Sequence, residues 1–261
     1  MRVCLLASGS RGNSTLIEVD GCRVLIDAGL SGIETVRRLA TVGLTGDDLD
    51  AILVTHEHHD HVGGIGPLAR RHCLPVYVDR QTHAALPKLG KIADLQLFTA
   101  GDTFSLQNLL ISSFSTTHDA VNPVGFTIQS AEGKIGFATD LGIPTRLVAD
   151  QLQGCRVLVV EANHDEQMLQ DGSYPWELKQ RIRSRHGHLS NSQSCQLLED
   201  ICWPGLEALF LAHLSEENNC PDLAGQLFRE TLTDCGHVPE IIIGCQRLAS
   251  FCFETESVMI S

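Results

Sequence analysis

From Thr55 to His61 the chain reads Thr-His-Glu-His-His-Asp-His, placing four imidazoles and two carboxylates directly behind an apolar strand, Asp50–Thr55. Imidazole and carboxylate together suit zinc, manganese or iron. Alternation sends His56, His58 and Asp60 to one side, while His61 starts the following turn. Four ligand candidates on one loop exceed what a mononuclear open site takes from a single segment. The spacing therefore points to two adjacent divalent metals and to hydrolysis by a metal-activated water. A lone histidine at a strand end is usually structural; the ordered set His56-x-His58-x-Asp60-His61, followed by Val62-Gly63-Gly64, reads as a metal pattern. Glu57 and His59 fall on the other face and are expected to hold the loop.

Period-2 patterning and turn residues predict strands at Val3–Ala7, Thr15–Val19 and Cys22–Ile26, with Asp20-Gly21 as a hairpin turn. Helices are expected near Ile33–Val42, Ile65–His72 and Gln81–Leu86, with strands at Val76–Val78 and Leu95–Phe98. Leu109–Phe114, Val124–Ile128 and Lys134–Ala138 read as consecutive strands. The second half continues with helices near Thr145–Gln153, Pro175–Ser184, Asn191–Cys202 and Pro221–Leu232. Its strands are Val157–Val160, Ala208–Ala212, Glu240–Ile243 and Leu248–Phe253. No linker or low-complexity tract divides the chain, so one domain over 1–261 is expected. Grouped strands with interspersed helices suggest two mixed sheets packed face to face with helices outside, an α/β sandwich.

With 261 residues, 43% hydrophobic and 20% charged, the chain has the composition of a soluble globule. The start, Met1–Ser8, is too short in its apolar part for a signal peptide, and no apolar run is long enough to span a membrane. The ten cysteines are scattered without a C-x-x-C pair, which argues against a zinc ribbon and for a cytoplasmic protein whose thiols are mostly buried. A net charge of −13 excludes coating of nucleic acid by bulk electrostatics. Local phosphate binding stays open, because two divalent cations add about four positive charges at the site.

Further ligand candidates stand singly where strands stop: His118 after Leu109–Phe114, Asp140 after Lys134–Ala138, and His213 after Ala208–Ala212. Joined to the first cluster in this order, they resemble the dinuclear motifs of the metallo-β-lactamase-fold hydrolases, and Asp27 in Leu25-Ile-Asp-Ala-Gly29 matches that superfamily's early aspartate. The resemblance covers essentially the whole chain and implies an αββα sandwich. It implies one metal, Zn²⁺ or Mn²⁺, on His56, His58 and His118, a second on Asp60, His61 and His213, and Asp140 bridging them. A finer resemblance is to the YycJ/VicX (WalJ) subgroup. It is carried by Ser8-Gly-Ser-Arg-Gly-Asn-Ser14, Glu161-Ala-Asn-His-Asp165, Tyr174-Pro-Trp-Glu-Leu-Lys-Gln-Arg181, His186-Gly-His-Leu-Ser-Asn191 and Ala212-His-Leu-Ser-Glu-Glu-Asn-Asn219. That subgroup implies a phosphodiesterase with nucleic acid, specifically double-stranded DNA, as substrate and 5′-to-3′ exonuclease action.

Phosphodiester hydrolysis by a metal-bridging hydroxide assigns roles to further residues. Asp60 can ligate and also orient or deprotonate the water. His188 is the leading donor to the leaving oxygen, with His164 second, while His186 and His188 could instead only shape the turn before a helix capped by Ser190. Arg11 and Asn13 lie in a tight Gly/Ser loop whose backbone amides could cradle phosphate, and His164 and His186 are further candidates for substrate contact. Lys179, Arg181, Arg183 and Arg185 form the densest basic stretch and, on one helix, make two i,i+4 pairs that could follow a DNA backbone. A small-molecule or nucleotide phosphodiesterase is the alternative function. A glyoxalase II-type thioesterase would use the same ligands but finds no glutathione-binding appendage here, and a non-catalytic metal-stabilised signalling partner would not need every ligand intact.

Overall fold

The computed structural model describes residues 1–255 apart from Pro87, Cys235 and His237. Strands β1 (Arg2–Ala7), β2 (Ser14–Val19), β3 (Cys22–Ile26), β4 (Ala51–Leu53), β5 (Val76–Asp79) and β6 (Leu95–Phe98) begin the chain; β7 (Thr103–Leu106), β8 (Leu109–Ser115), β9 (Val124–Ser130), β10 (Gly133–Ala138), β11 (Val157–Glu161), β12 (Ala208–Ala212), β13 (Glu240–Ile243) and β14 (Phe253–Glu254) follow. They form two seven-stranded sheets, ordered β14-β1-β2-β3-β4-β5-β6 and β13-β12-β11-β10-β9-β8-β7. Each sheet has an antiparallel half and a parallel half, with β3–β6 parallel in the first and β10–β13 parallel in the second.

The helices are α1 (Gly32–Thr41), α2 (His59–Val62), α3 (Ile65–His72), α4 (Arg80–Ala85), α5 (Arg146–Leu152), α6 (Glu166–Asp171), α7 (Trp176–Ile182), α8 (Asn191–Ile201) and α9 (Pro221–Asp234). Strand alternation explains the layers. In β1, Val3 and Leu5 enter the core between the sheets, while Cys4 and Leu6 join Leu39 of α1 and Leu68 of α3 on the outer face. In β11, Val157 and Val159 face the other sheet, while Leu158 and Val160 pack on Leu198 of α8 and Phe228 of α9. Both faces are therefore covered, which is why these strands read as unbroken apolar runs. Fully buried Phe126 and Phe210 lie in the inter-sheet core, and each such side chain contributes about 1.5–3 kcal/mol by leaving water.

The α/β sandwich of two mixed sheets thus stands as the sequence suggested. Several details differ. The expected strand Leu248–Phe253 shrinks to Phe253–Glu254, because the Ser250 hydroxyl replaces a ladder carbonyl: it accepts from Leu5 N at 3.0 Å while Ser250 N donates to Leu5 O at 2.8 Å. Strand β7 and helix α6 were not anticipated; α6 is started by Asp165, whose carboxylate accepts from Met168 N at 2.8 Å. The expected helix Pro175–Ser184 ends at Ile182, so Arg185 leaves it and the paired basic stripe does not form. Ser190 does cap α8, in a reciprocal capping box with Gln193. Of the nine described cysteines, four are buried, three half-buried and two, Cys73 and Cys245, exposed. Among the described residues no helix is long and apolar enough to cross a membrane.

Candidate metal centre

The parallel register makes β3 and β4, and likewise β10, β11 and β12, end at the same rim, and β8 runs with them because β9 is antiparallel to both neighbours. Ligands in open α/β sheets gather outside such carboxyl ends. Asp27 follows β3, the Thr55–His61 loop follows β4, and His118, Asp140 and His213 follow β8, β10 and β12. Asp27, Asp140 and His213 each adopt left-handed φ, at 61°, 57° and 57°. Non-glycine residues held there carry local strain that the surrounding structure must support. For His213 the support is explicit: its N–H donates to Ser8 Oγ at 2.6 Å and its carbonyl accepts from Asn163 Nδ2 at 2.9 Å. Two glycines allow the close approach of loops. A Cβ on Gly29 would lie 1.6 Å from Asp60 O, and one on Gly142 would lie 2.0 Å from the Arg185 carbonyl of the turn that carries His186 and His188.

Hydrogen-bond partners fix which ring nitrogen of each histidine carries the proton. Thr55 Oγ1 donates to Asp27 Oδ2 at 2.7 Å, so His56 Nδ1, 2.9 Å away, donates to Thr55 and leaves Nε2 unprotonated. His61 Nδ1 donates to Asp27 Oδ2 at 2.7 Å. His118 Nδ1 donates to Gly187 O at 3.0 Å, and His58 Nε2 donates to Asp119 O at 2.8 Å. His213 Nδ1 donates to Glu161 Oε1 at 3.0 Å. In its neutral form every ring thereby turns one lone pair to the centre. The inward atoms His56 Nε2, His213 Nε2 and Asp140 Oδ2 are buried and have no hydrogen-bond partner among the described residues. Buried polar atoms rarely stay unsatisfied, and a divalent cation would satisfy all three.

The inward atoms form compact groups, each within 4.8 Å: His56, His58 and His118; Asp60, His61 and His213; His56, His61 and Asp140; and Asp140, Glu161, His188 and His213. The seven residues expected as metal ligands are therefore brought together, and Asp140 neighbours members of both triads. These clusters are able to bind metal ions, and their nitrogen and oxygen donors suit Zn²⁺ or Mn²⁺. Charge within the cluster is tightly coupled. Burial disfavours the Asp140 carboxylate, but His213, His61 and the other imidazoles outweigh it and hold the group well below the usual carboxylate range. Burial likewise works to lower His61 and His213, yet Asp140 with Asp27 raises His61 to about 10, and Asp140 with Glu161 raises His213 to about 9. Desolvation pushes His56 and His118 down.

Glu161 is the functional residue that sequence reasoning passed over, having treated it only as the start of a resembling segment. It is fully buried at the end of β11, the same strand-end position as Asp140 and His213. Oε1 accepts from His188 Nδ1 at 2.7 Å and His213 Nδ1 at 3.0 Å, while Oε2 accepts from Leu141 N at 2.9 Å and Leu189 N at 3.0 Å. Burial opposes its ionisation, but the two imidazoles prevail and lower it to about 2.

The remaining sequence candidates divide. His188 and His186 line the cavity of about 260 Å³ above the cluster, together with Ser10, Tyr174 and Arg181. Asn13 sits within the centre, its Nδ2 3.2 Å from Asp60 Oδ2 and 3.1 Å from His61 Nε2. His164 is buried and lines a separate cavity with Glu166 and Arg183, and burial lowers it to about 4. Arg11 lies at the surface, paired with Glu216 at 2.5 Å. Within its loop four backbone amides are already engaged: Gly9 N by Asn13 Oδ1, Arg11 N by Gln246 Oε1, Gly12 N by Gly9 O and Asn13 N by Asp60 O. Among the four basic residues, Lys179 donates to the carbonyls of Gln170 and Gly172 and Arg183 to that of Glu166. Arg181 faces the cavity, 2.7 Å from Asp119. Glu57 holds the loop as expected, accepting from Val121 N at 2.8 Å.

Two sheets with a shared rim of histidines and aspartates define a metallo-β-lactamase fold, and the profile described as a β-lactamase superfamily domain matches residues 22–213. The chain belongs to that superfamily. Exodeoxyribonuclease YycJ of Bacillus anthracis is 37% identical over 235 residues, covering 89% of each chain. Exodeoxyribonuclease WalJ of Streptococcus pneumoniae is 39% identical over 225 residues, covering 84% of each. Among solved structures, the metallo-β-lactamase fold protein YhfI of Bacillus subtilis superposes with a TM-score of 0.76 at 18% identity, covering 97% of this chain and 99% of that one. Zn²⁺-bound PqqB of Methylobacterium extorquens gives 0.71 at 17% identity, over 98% and 100%. These two structures share the fold.

Proposed function

We propose that the chain is a dinuclear metal-dependent exodeoxyribonuclease that hydrolyses duplex DNA from the 5′ end. The observation that carries the reading is the His188–Glu161 pair beside the clusters that share Asp140, in a chain 37–39% identical over most of its length to exodeoxyribonucleases. In it His56, His58 and His118 would hold one cation and Asp60, His61 and His213 a second, with Asp140 next to members of both groups. Bound there, the cations supply a water acidified to near neutrality and positive charge for the phosphate. Asp60, its side chain 25% exposed and braced by Asn13, would orient the attacking water and take up its proton. His188, with Nδ1 anchored on Glu161 at 2.7 Å, presents the opposite nitrogen to the cavity and gives its proton to the leaving oxygen. His186 and Arg181 contact the substrate at the cavity mouth. Arg11 and the buried His164 lie farther out and contribute less directly. A cytoplasmic location belongs to the same proposal, supported by the buried thiols of Cys22, Cys155 and Cys195.

The test presents metal-replete protein with end-labelled duplex DNA, single-stranded DNA, RNA and a small chromogenic diester, with Mn²⁺ and Zn²⁺ in parallel. Release of mononucleotides from the 5′ end of the duplex is expected. Cleavage of the small diester alone would replace this reading with a small-molecule phosphodiesterase.

A further inference from the structure

Away from the metal centre, the register of β1 against β14 brings two cysteines face to face. Arg2 pairs with Glu254 and Val3 with Phe253, so the next step sets Cys4 opposite Cys252. Thr255 N donates to Met1 O at 2.9 Å, which puts the ladder bonds on Met1/Thr255 and Val3/Phe253 and leaves Cys4/Cys252 a non-hydrogen-bonded position. Opposed Cα atoms at such a position lie about 4.5 Å apart, inside the span of about 4.4–6.8 Å that a disulfide bridges. The two thiols are near enough to shift each other's ionisation, and Arg2 Nη2 lies 3.8 Å from Cys252 Sγ. Cys4 is fully buried, its Sγ 3.4 Å from Ser250 O, whereas Cys252 is half-buried and reachable from solvent.

We propose that Cys4 and Cys252 form a reversible disulfide, a modification site whose oxidant is a low-molecular-weight disulfide such as oxidised glutathione. The two thiols divide the work. The neighbouring Cys4 thiol outweighs burial and, with the Arg2 charge, brings Cys252 down to about 7, so at neutral pH it attacks as thiolate. Its sulfur bonds one sulfur of the oxidant, the oxidant's S–S bond breaks, and one glutathione thiolate leaves. Cys4 sulfur then attacks Cys252 sulfur, the mixed disulfide breaks, and the second glutathione departs with the Cys4 proton. The cysteine pair loses two electrons and the oxidant becomes two thiols. A solvent-reachable, half-buried attacking cysteine beside a buried resolving one is the arrangement of reversible thiol oxidation. The bridge would tie β14 to β1 at the end of the segment in which Gln246 grips the Gly9–Asn13 loop, through Arg11 N at 2.7 Å and Gly12 O at 3.0 Å.

The test incubates the full chain with oxidised glutathione, blocks remaining thiols by alkylation, digests without reductant and maps the peptides by mass spectrometry. A cross-linked pair carrying Cys4 and Cys252 is expected, with an intact mass about 2 Da lower before alkylation. Excess reduced glutathione should reverse it, Cys252→Ser should abolish it, and Cys245→Ser should leave it unchanged. Recovery of Cys252 as a glutathione adduct, as the alkylated thiol, or bridged to another cysteine would overturn the proposal. The wild-type peptide map decides the matter whether or not the variants fold.

Discussion

Glu161→Gln is the substitution that most sharply tests how the centre is held. Both carboxylate oxygens face donors: two imidazole N–H groups on Oε1 and two backbone N–H groups on Oε2. A glutamine keeps one acceptor oxygen and turns an NH₂ group toward the other pair. Facing the NH₂ to Leu141 and Leu189 would strand two buried backbone donors, at about 1–3 kcal/mol each. The lower-energy arrangement gives the oxygen to those amides and the NH₂ to the imidazoles, which can accept only by moving their protons to Nε2. His213 then loses the lone pair it turns to the cluster, and the nitrogen of His188 facing the cavity is tied to one protonation state. Metal affinity should fall about 10–100-fold, and turnover at saturating metal about 10²–10⁴-fold, the usual worth of a general acid. Chelator competition measures the first and single-turnover cleavage of duplex DNA the second, with circular dichroism reporting the fold. Turnover within about threefold of wild type at saturating metal would refute the orienting role.

The remaining predictions concern protons, the water and the DNA backbone. In the metal-free protein His61 and His213 are raised to about 10 and about 9, above the unfolded value of about 6.5. Their stabilising effect is therefore complete below about pH 6.5 and lost as pH rises through 9 to 10, and thermal unfolding of metal-free protein should show that loss while bound metal removes it. Metal binding at pH 7 should accordingly release about two protons, measured by calorimetry in buffers of different ionisation heat; release of none would contradict the coupling. Asp60→Asn should remove most turnover with modest metal loss, and a near-normal rate in metal-replete protein would strip Asp60 of its role. Arg181→Gln should lower the salt slope of DNA binding by about one, whereas Lys179→Gln and Arg183→Gln should leave it unchanged, since those side chains already serve α6; equal effects from all three would argue for a diffuse basic face.

The layers and the ligand rim were legible because they depend on local pattern. Runs such as Val157–Val160 mark strands covered on both faces, and a lone histidine or aspartate behind such a run marks the rim, as at His118, Asp140 and His213. What escaped depends on distant partners. Nothing local in Gly9–Asn13 reveals that Gln246 consumes its amide, and nothing in Lys179–Arg185 tells which cation meets a carbonyl of α6 and which the cavity. Glu161 was hidden because a charged residue ending an apolar strand looks like its solvent-facing end, until the two histidines on it are seen. His164, placed by its segment near the chemistry, lines a different cavity with Glu166 and Arg183.

The most direct measurement of the central claim strips the chain with chelator, returns Mn²⁺ in known equivalents, and follows mononucleotide release from 5′-labelled duplex DNA. The account predicts no release from stripped protein and a rate that rises to a plateau at two equivalents per chain. Cleavage that persists without metal, or a plateau reached at one equivalent, would contradict it.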